Sequence, residues 1–195
     1  MKNNELTSCG WHRNNPRMIE YHDTEWGVPL HDDNKIFEFI ILDAFQAGLN
    51  WSIILNKREN FRKAFDNFNP EKIAKYKEAK IEKLLADSGI IRNKLKINAT
   101  VQNAKMFLLV QKEFGTFDRY IWQFTGGKTI HNKWKDLTEL PARSPESDAM
   151  SKDLQKRGFK FVGSTICYAF MQAAGMVNDH TIKCFRYKEI LNILK

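Results

Sequence analysis

Cysteine is scarce in this chain: Cys9, Cys167 and Cys184 form an odd and sparse set, unlike the even-numbered disulfide framework of a small secreted protein. Long apolar runs are missing too. The longest, Phe39 to Leu55 (FIILDAFQAGLNWSIIL), is interrupted by Asp43, Gln46, Asn50 and Ser52, which excludes a membrane span and reads as buried core. The opening MKNNELTSCGWHRNN lacks the apolar stretch of a signal peptide, so the expected compartment is the cytoplasm. With no repeat and no low-complexity linker, residues 1–195 are expected to form a single domain. Acidic residues are outnumbered, 23 against 31 basic, and the net charge of +8 suits a polyanionic partner such as nucleic acid.

Helix signals are plentiful. Asp32 or Asp33 can cap a helix with Phe37, Ile40, Ile41 and Ala44 on its inward face, ending near Gly48. Asn50 can cap a second, running through Ile54 to about Phe65. Asn69-Pro70 is a favourable start for a third, and EAKIEKLLADSG is expected to close on Gly89. Beyond it, Leu95, Ile97, Val101, Ala104 and Leu108 mark a long amphipathic helix. Further helices are expected at 116–124, 147–157, 164–174 and over the last dozen residues, with 125–144, which holds Gly126-Gly127 and Pro141, left as loop. The fold class is all-α.

Three groups of residues carry chemistry. His180 and Cys184, four apart in NDHTIKC, share one face if the stretch is helical and make half of a tetrahedral metal site. Cys9 and His22 are the candidate partners from the other end of the chain, and Cys, His, His and Cys suit zinc. Equally, Cys9 can be a free thiol and His22 a packing histidine. ADSGIIRNKLKI reads as helix, tight turn and basic helix start. Such a hairpin presents backbone N–H groups and a positive helix end to a phosphate, with Gly89 at the turn and Arg92, Lys94 and Lys96 adding attraction to a DNA backbone. Many helical hairpins bind nothing. Asp43, the one charge between residues 39 and 55, must be hydrogen-bonded, protonated or facing a pocket. It can cap a neighbouring turn, or serve with Gln46, Trp51, Trp11 and Tyr21 as a pocket for a flipped nucleobase. Cys167, in TICYAFM, reads as a buried thiol, and His12, His31 and His131 as unpartnered surface residues.

Several long motifs occur in order: CGW at 9–11, YHDTEWGVP at 21–29, QAGLNW at 46–51, KREN at 57–60, GIIRNKLKI at 89–97, KRGFKFVGSTICYAFMQAAG at 156–175 and VNDH at 177–180. Together they resemble the 3-methyladenine DNA glycosylase I family over nearly the whole chain. The resemblance implies a helix-hairpin-helix DNA glycosylase fold with a zinc clasp joining the N- and C-terminal segments. It maps one structural Zn2+ onto Cys9, His22, His180 and Cys184. It implies a monofunctional hydrolase that removes 3-methyladenine from double-stranded DNA in base excision repair, acting as a monomer without a membrane, nucleoid-associated in a bacterial cytoplasm. Trp51 would stack on the base, with Tyr21 and Trp11 lining the pocket, and Leu49 would wedge the duplex. Two positions depart from the family. Asp43 stands where a glutamate would hydrogen-bond the base, and Met18 where a pocket tyrosine is usual. These departures keep one alternative open, a non-catalytic zinc-stapled module that recognises distorted or alkylated DNA sites.

Overall fold

Asp32 caps α2 (Asp33–Gln46) by accepting from the Lys35 N–H at 2.9 Å, as its position before the apolar run predicts. The computed structural model describes residues 7–193, and in it every residue of α2 from Ile36 to Phe45 is buried. The expected inward stripe is therefore only part of the truth. A helix wrapped on all sides buries all its faces, and α2 is surrounded by α3 (Trp51–Ala64), α6 (Lys94–Phe114), α7 (Phe117–Trp122) and α9 (Ser164–Ala173). Asp33, the other proposed cap, reaches across to α7 and accepts from the Phe117 and Asp118 N–H groups at 2.8 Å each.

Encasing α2 costs two buried acids. Glu38 is resolved by Arg58 (Nε to Oε1, 2.6 Å) and Arg62 (Nη2 to Oε1, 2.8 Å), with Arg58 also paired to Glu25 at 2.8 Å. Paired and hydrogen-bonded, such charges are tolerated inside.

The remaining helices follow sequence signals with a few corrections. Asn50 and Asn69 cap α3 and the four-residue α4 (Pro70–Ile73). Helix α5 (Glu78–Ala86) stops three residues short of Gly89. Asp87 turns the chain instead, its Oδ1 accepting the Gly89 N–H at 2.7 Å, and a Cβ at Gly89 would lie 2.9 Å from that oxygen. On α6 the inward residue is Phe107, fully buried, rather than Leu108, which is half-buried. Leu95 is 72% exposed. Helix α8 (Pro145–Lys156) starts with a capping box between Ser144 and Ser147.

One helix and one strand pair lie outside the sequence-based expectation. Asn15 and Pro16 start α1 (Pro16–Thr24) with the same Asn-Pro signal as α4. Within the expected loop, β1 (Ile130–His131) pairs in parallel with β2 (Val177–Asn178), Ile130 opposite Val177 and His131 opposite Asn178. Two residues are too few for an alternation pattern, so this pairing is a product of tertiary contact. It draws the 125–144 segment onto the chain that leads to α10 (Phe185–Ile193), where the Phe185 N–H reaches Thr7 O at 2.8 Å.

Gly175 shows how tightly the parts meet. Its φ is +66°, and a Cβ would fall 2.3 Å from Val28 C and 2.4 Å from Pro29 N, a clash with backbone that cannot move aside. Gly175→Ala should therefore destabilise by about 3 kcal/mol or more; a urea midpoint close to that of the parent protein would contradict this reading of the α9 end.

Candidate functional site

A cavity of about 320 Å³ opens where α1, α2, α3 and the N-terminal segment converge. Trp11, Met18, Tyr21, Asp43, Gln46 and Trp51, drawn from those four segments, all line it. Trp26, Leu137, Leu140, Ala169 and Gln172, which carry no local signal of a pocket role, complete the wall. Leu137 and Leu140 lie in the polar 125–144 stretch, whose local pattern gives no sign of an inward face. The rings meet at an angle: Trp51 and Tyr21 have centroids 5.3 Å apart at 50°, and Trp11 and Trp26 lie 5.2 Å apart at 74°.

Three polar atoms on this cavity's wall residues are buried without a hydrogen-bond partner: Trp11 Nε1, Trp51 Nε1 and Asp43 Oδ2. Native proteins leave few such atoms unsatisfied. A planar ligand bearing both donors and acceptors is the chemistry that would satisfy them. Asp43 is 2% exposed, and burial raises its carboxyl well above the ordinary range, with the Arg58 charge opposing. Burial, followed by the charges of Asp43 and Glu25, likewise raises the Tyr21 phenol. Burial thus favours the protonated form of this acid, which can donate as well as accept.

One wall is held by Asp179, which the VNDH motif contains but no sequence argument assigned a role. Its Oδ1 accepts from Asn132 Nδ2 at 2.7 Å and Trp134 Nε1 at 2.8 Å; its Oδ2 accepts from Tyr168 Oη and Gln172 Nε2, each at 2.8 Å. This buried carboxylate ties the 125–144 segment to α9 and fixes Gln172 at the pocket.

Behind Trp11 and Trp26, Cys9, His22, His180 and Cys184 come together, all buried, with donor atoms within 4.8 Å of one another. Residues 180–184 are not helical, contrary to expectation; a turn closed by the Cys184 N–H on Thr181 O (2.8 Å) brings the two side chains to one point. Cys184 Sγ lies 3.5 Å from both His22 Nε2 and His180 Nδ1, and Cys9 Sγ lies 3.5 Å from His180 Nδ1. The outer ring nitrogens are held by Asp23 (2.6 Å to His22 Nδ1) and by Trp26 O (3.0 Å to His180 Nε2), the second-layer arrangement of metal-bound histidines. Hydrogen bonding from Cys9, then from His180 and His22, pulls the Cys184 thiol far down against its burial, and the same thiol pair pushes Cys9 up. One ionised sulfur, a second sulfur sharing its proton and two imidazoles converge here, so this cluster could hold a metal ion.

On the outer surface, Arg92 and Lys94 are exposed beside the turn that holds Gly89, and Leu49 is 39% exposed on the loop before Trp51. Lys96 is a correction. It is buried, and its ammonium donates to Phe45 O and Ala47 O at 2.7 Å each, so it faces the protein and not a phosphate. The histidines also need correction. His31 is exposed but partnered, stacked on Trp122 at 4.6 Å and bonded to Asp118 at 2.8 Å. His131 is half-buried in β1, and half-buried His12 bonds Ser8 Oγ at 2.7 Å. Cys167 is buried as expected.

A family model described as methyladenine glycosylase matches residues 11–187. The chain belongs to this family. DNA-3-methyladenine glycosylase 1 of Escherichia coli K12 is 47% identical over 182 residues, 93% of this chain and 97% of that protein. The Haemophilus influenzae DNA-3-methyladenine glycosylase is 46% identical, over 91% of this chain and 96% of its own. Among solved structures, a crystal structure of 3-methyladenine DNA glycosylase I superposes with a TM-score of 0.90 at 46% identity, covering 92% of this chain and 98% of the other. The Staphylococcus aureus enzyme, solved to explain 3-methyladenine recognition, gives 0.89 at 30% identity, with 92% and 96% covered.

For a methyladenine glycosylase family member, the uncompensated acid in the cavity has a measurable cost. Asp43 holds its proton more tightly folded than unfolded. Stability is therefore full below the ordinary carboxylate range and declines as pH climbs from there towards the raised folded value. Asp43→Asn removes that decline, and at pH 8 it should raise Tm by about 2–4 °C, the shift roughly 1 kcal/mol makes in a chain of this size. Melting curves from pH 4 to pH 9 check it; an unchanged pH profile in the variant would refute the buried-acid assignment.

Proposed function

We propose that this chain is a monofunctional DNA glycosylase that hydrolyses the N-glycosidic bond of 3-methyladenine in double-stranded DNA. The observation that carries the reading is the aromatic cavity in which a buried acid and two indole N–H groups lack partners. The named relatives, DNA-3-methyladenine glycosylases over nearly their full lengths, support it, as does a structure neighbour solved in complex with 3-methyladenine, at 30% identity and a TM-score of 0.89.

The chemistry asks little of the protein. In DNA the 3-methylated adenine is cationic. The bond from the sugar C1′ to the base breaks with its electron pair passing to the base, which leaves neutral; water adds at C1′ and sheds a proton. The protein's share is to extrude the nucleotide, stack the base on Trp51 between Tyr21 and Trp11, and exclude bulk water. Asp43 supplies discrimination. A cation brought against a buried carboxyl favours its ionised form, whereas neutral adenine gives no such gain, so only the lesion repays burial of the charge. Outside the cavity, Leu49 serves as the wedge, and Arg92 and Lys94 beside the Gly89 turn hold the DNA backbone.

The Cys and His cluster fits zinc. Bonds of about 2.3 Å to sulfur and about 2.0–2.1 Å to nitrogen give tetrahedral sulfur-to-nitrogen edges of about 3.5 Å, and three such edges here are 3.5 Å. Cys9, His22, His180 and Cys184 would fill all four positions of a tetrahedral ion and leave none open, so its role would be structural, joining the N-terminal segment to residues 180–184. We expect about one equivalent of zinc in the purified protein. Cys184→Ser should lose it and melt at lower temperature; full folding and activity in metal-free protein would refute the clasp.

Asp43 is one methylene shorter than glutamate and Met18 brings no ring, which sustains the second reading, binding without excision. Single-turnover release of 3-methyladenine from methylated duplex, run beside Asp43→Glu and Trp51→Ala, separates the two. The enzyme reading expects release by the parent protein, with a loss of about 100-fold or more in Trp51→Ala. Affinity for abasic DNA without base release by the parent would select the binding module.

A further inference from the structure

Lys96, which looks like a DNA contact in the sequence, is an internal strut. Lys96 lies in the first turn of α6, directly after the hairpin turn, yet its ammonium donates to Phe45 O and Ala47 O at 2.7 Å each. These carbonyls belong to the C-terminal end of α2, where helical acceptors lack intrahelical partners and a cation is favoured. Directly beyond lie Gly48, with a φ of +75°, and Leu49, the exposed tip of the loop. From the opposite side, Lys57 on α3 donates to Ser88 O at 2.9 Å and Gly89 O at 3.2 Å, and Asn60 Nδ2 reaches Gly89 O at 3.3 Å. The hairpin turn, the loop bearing Leu49 and the helix that starts at Trp51 are thereby tied into one unit.

We infer that Lys96 is a positioning residue: it locks the phosphate-gripping hairpin to the 47–50 loop, so that a gripped duplex meets Leu49 and Trp51 in a single geometry. This rests on the glycosylase reading. Its physical basis is that a charged donor shared by the buried Phe45 carbonyl and the part-buried Ala47 carbonyl resists displacement, because moving it leaves the Phe45 oxygen without a partner and away from water. Lys57 holds the hairpin's other side from a more exposed position. The cost of a loose tie would fall on extrusion of the base, which depends on where the wedge stands, and only weakly on affinity, which depends on phosphate contacts.

The test compares the parent protein with Lys96→Met, Lys96→Arg and Arg92→Ala. It reads the salt dependence of binding to undamaged duplex, single-turnover base release from methylated duplex, and amide hydrogen exchange over residues 46–50. Arg92→Ala should flatten the salt slope by about 0.9, the value of one lost phosphate contact. Lys96→Met should leave the slope intact, slow release by about 10- to 100-fold and speed exchange in the loop, while Lys96→Arg, which still offers donors to the two carbonyls, should recover much of the rate. A slope flattened as in Arg92→Ala, or release and exchange both unchanged, would overturn the assignment. Should Lys96→Met fail to fold, Lys57→Met takes its place, read by exchange over residues 87–93. If the parent protein releases no base, the glycosylase reading falls, and the salt slope and exchange still decide this one.

Discussion

Burial of α2 on every face is the constraint from which the rest follows. A helix encased from Ile36 to Phe45 needs neighbours on all sides, which α3, α6, α7 and α9 provide, and it must place its two acids somewhere. Glu38 is neutralised by Arg58 and Arg62. Asp43 has Arg58 only as a charge at a distance and keeps an unpartnered oxygen at the cavity wall. The same encasement that stabilises the core thus leaves an unsatisfied acid at a cavity wall where a ligand can meet it. Local cost at a site, offset by the scaffold around it, is a familiar arrangement in enzymes.

A second constraint is closure of the chain on itself. Thr7 to Trp11, residues 177–184 and the 125–144 segment are far apart in sequence, and each contributes to one corner of the molecule. Asp179 gathers two side chains from the long loop and two from α9, and two residues later the chain turns to present Cys184 beside His180. The pocket wall and the Cys and His cluster are consecutive consequences of one folded strand end. Loss of the cluster would therefore be felt at Trp11 and Trp26, which stand between it and the cavity with Trp11 5.4 Å from the His22 ring and Trp26 4.5 Å from the His180 ring.

The basic surplus divides by tertiary role. Arg92 and Lys94 point outward, while Lys57, Lys96 and Arg58 are spent on carbonyls and carboxylates within the fold. A count of positive charge overstates what is left for a polyanion, and sequence position beside a hairpin does not tell the two groups apart.

Local chemistry, acting within a few residues, was legible along the chain. Asn and Asp caps, Asn-Pro starts and apolar spacing located most helices, because these signals act within a few residues. Ordered motifs identified the family and the pocket residues Trp11, Met18, Tyr21, Asp43, Gln46 and Trp51, all of which line one cavity. What depends on distant partners emerged from the folded arrangement. It put β1 beside β2, made a turn of the 180–184 stretch, gave Asp179 four donors and turned Lys96 inward. The physical reason is that a side chain's local spacing sets which face it occupies, whereas its partner, and hence whether a charge is spent on the fold or offered to a ligand, is set by segments the local pattern does not contain.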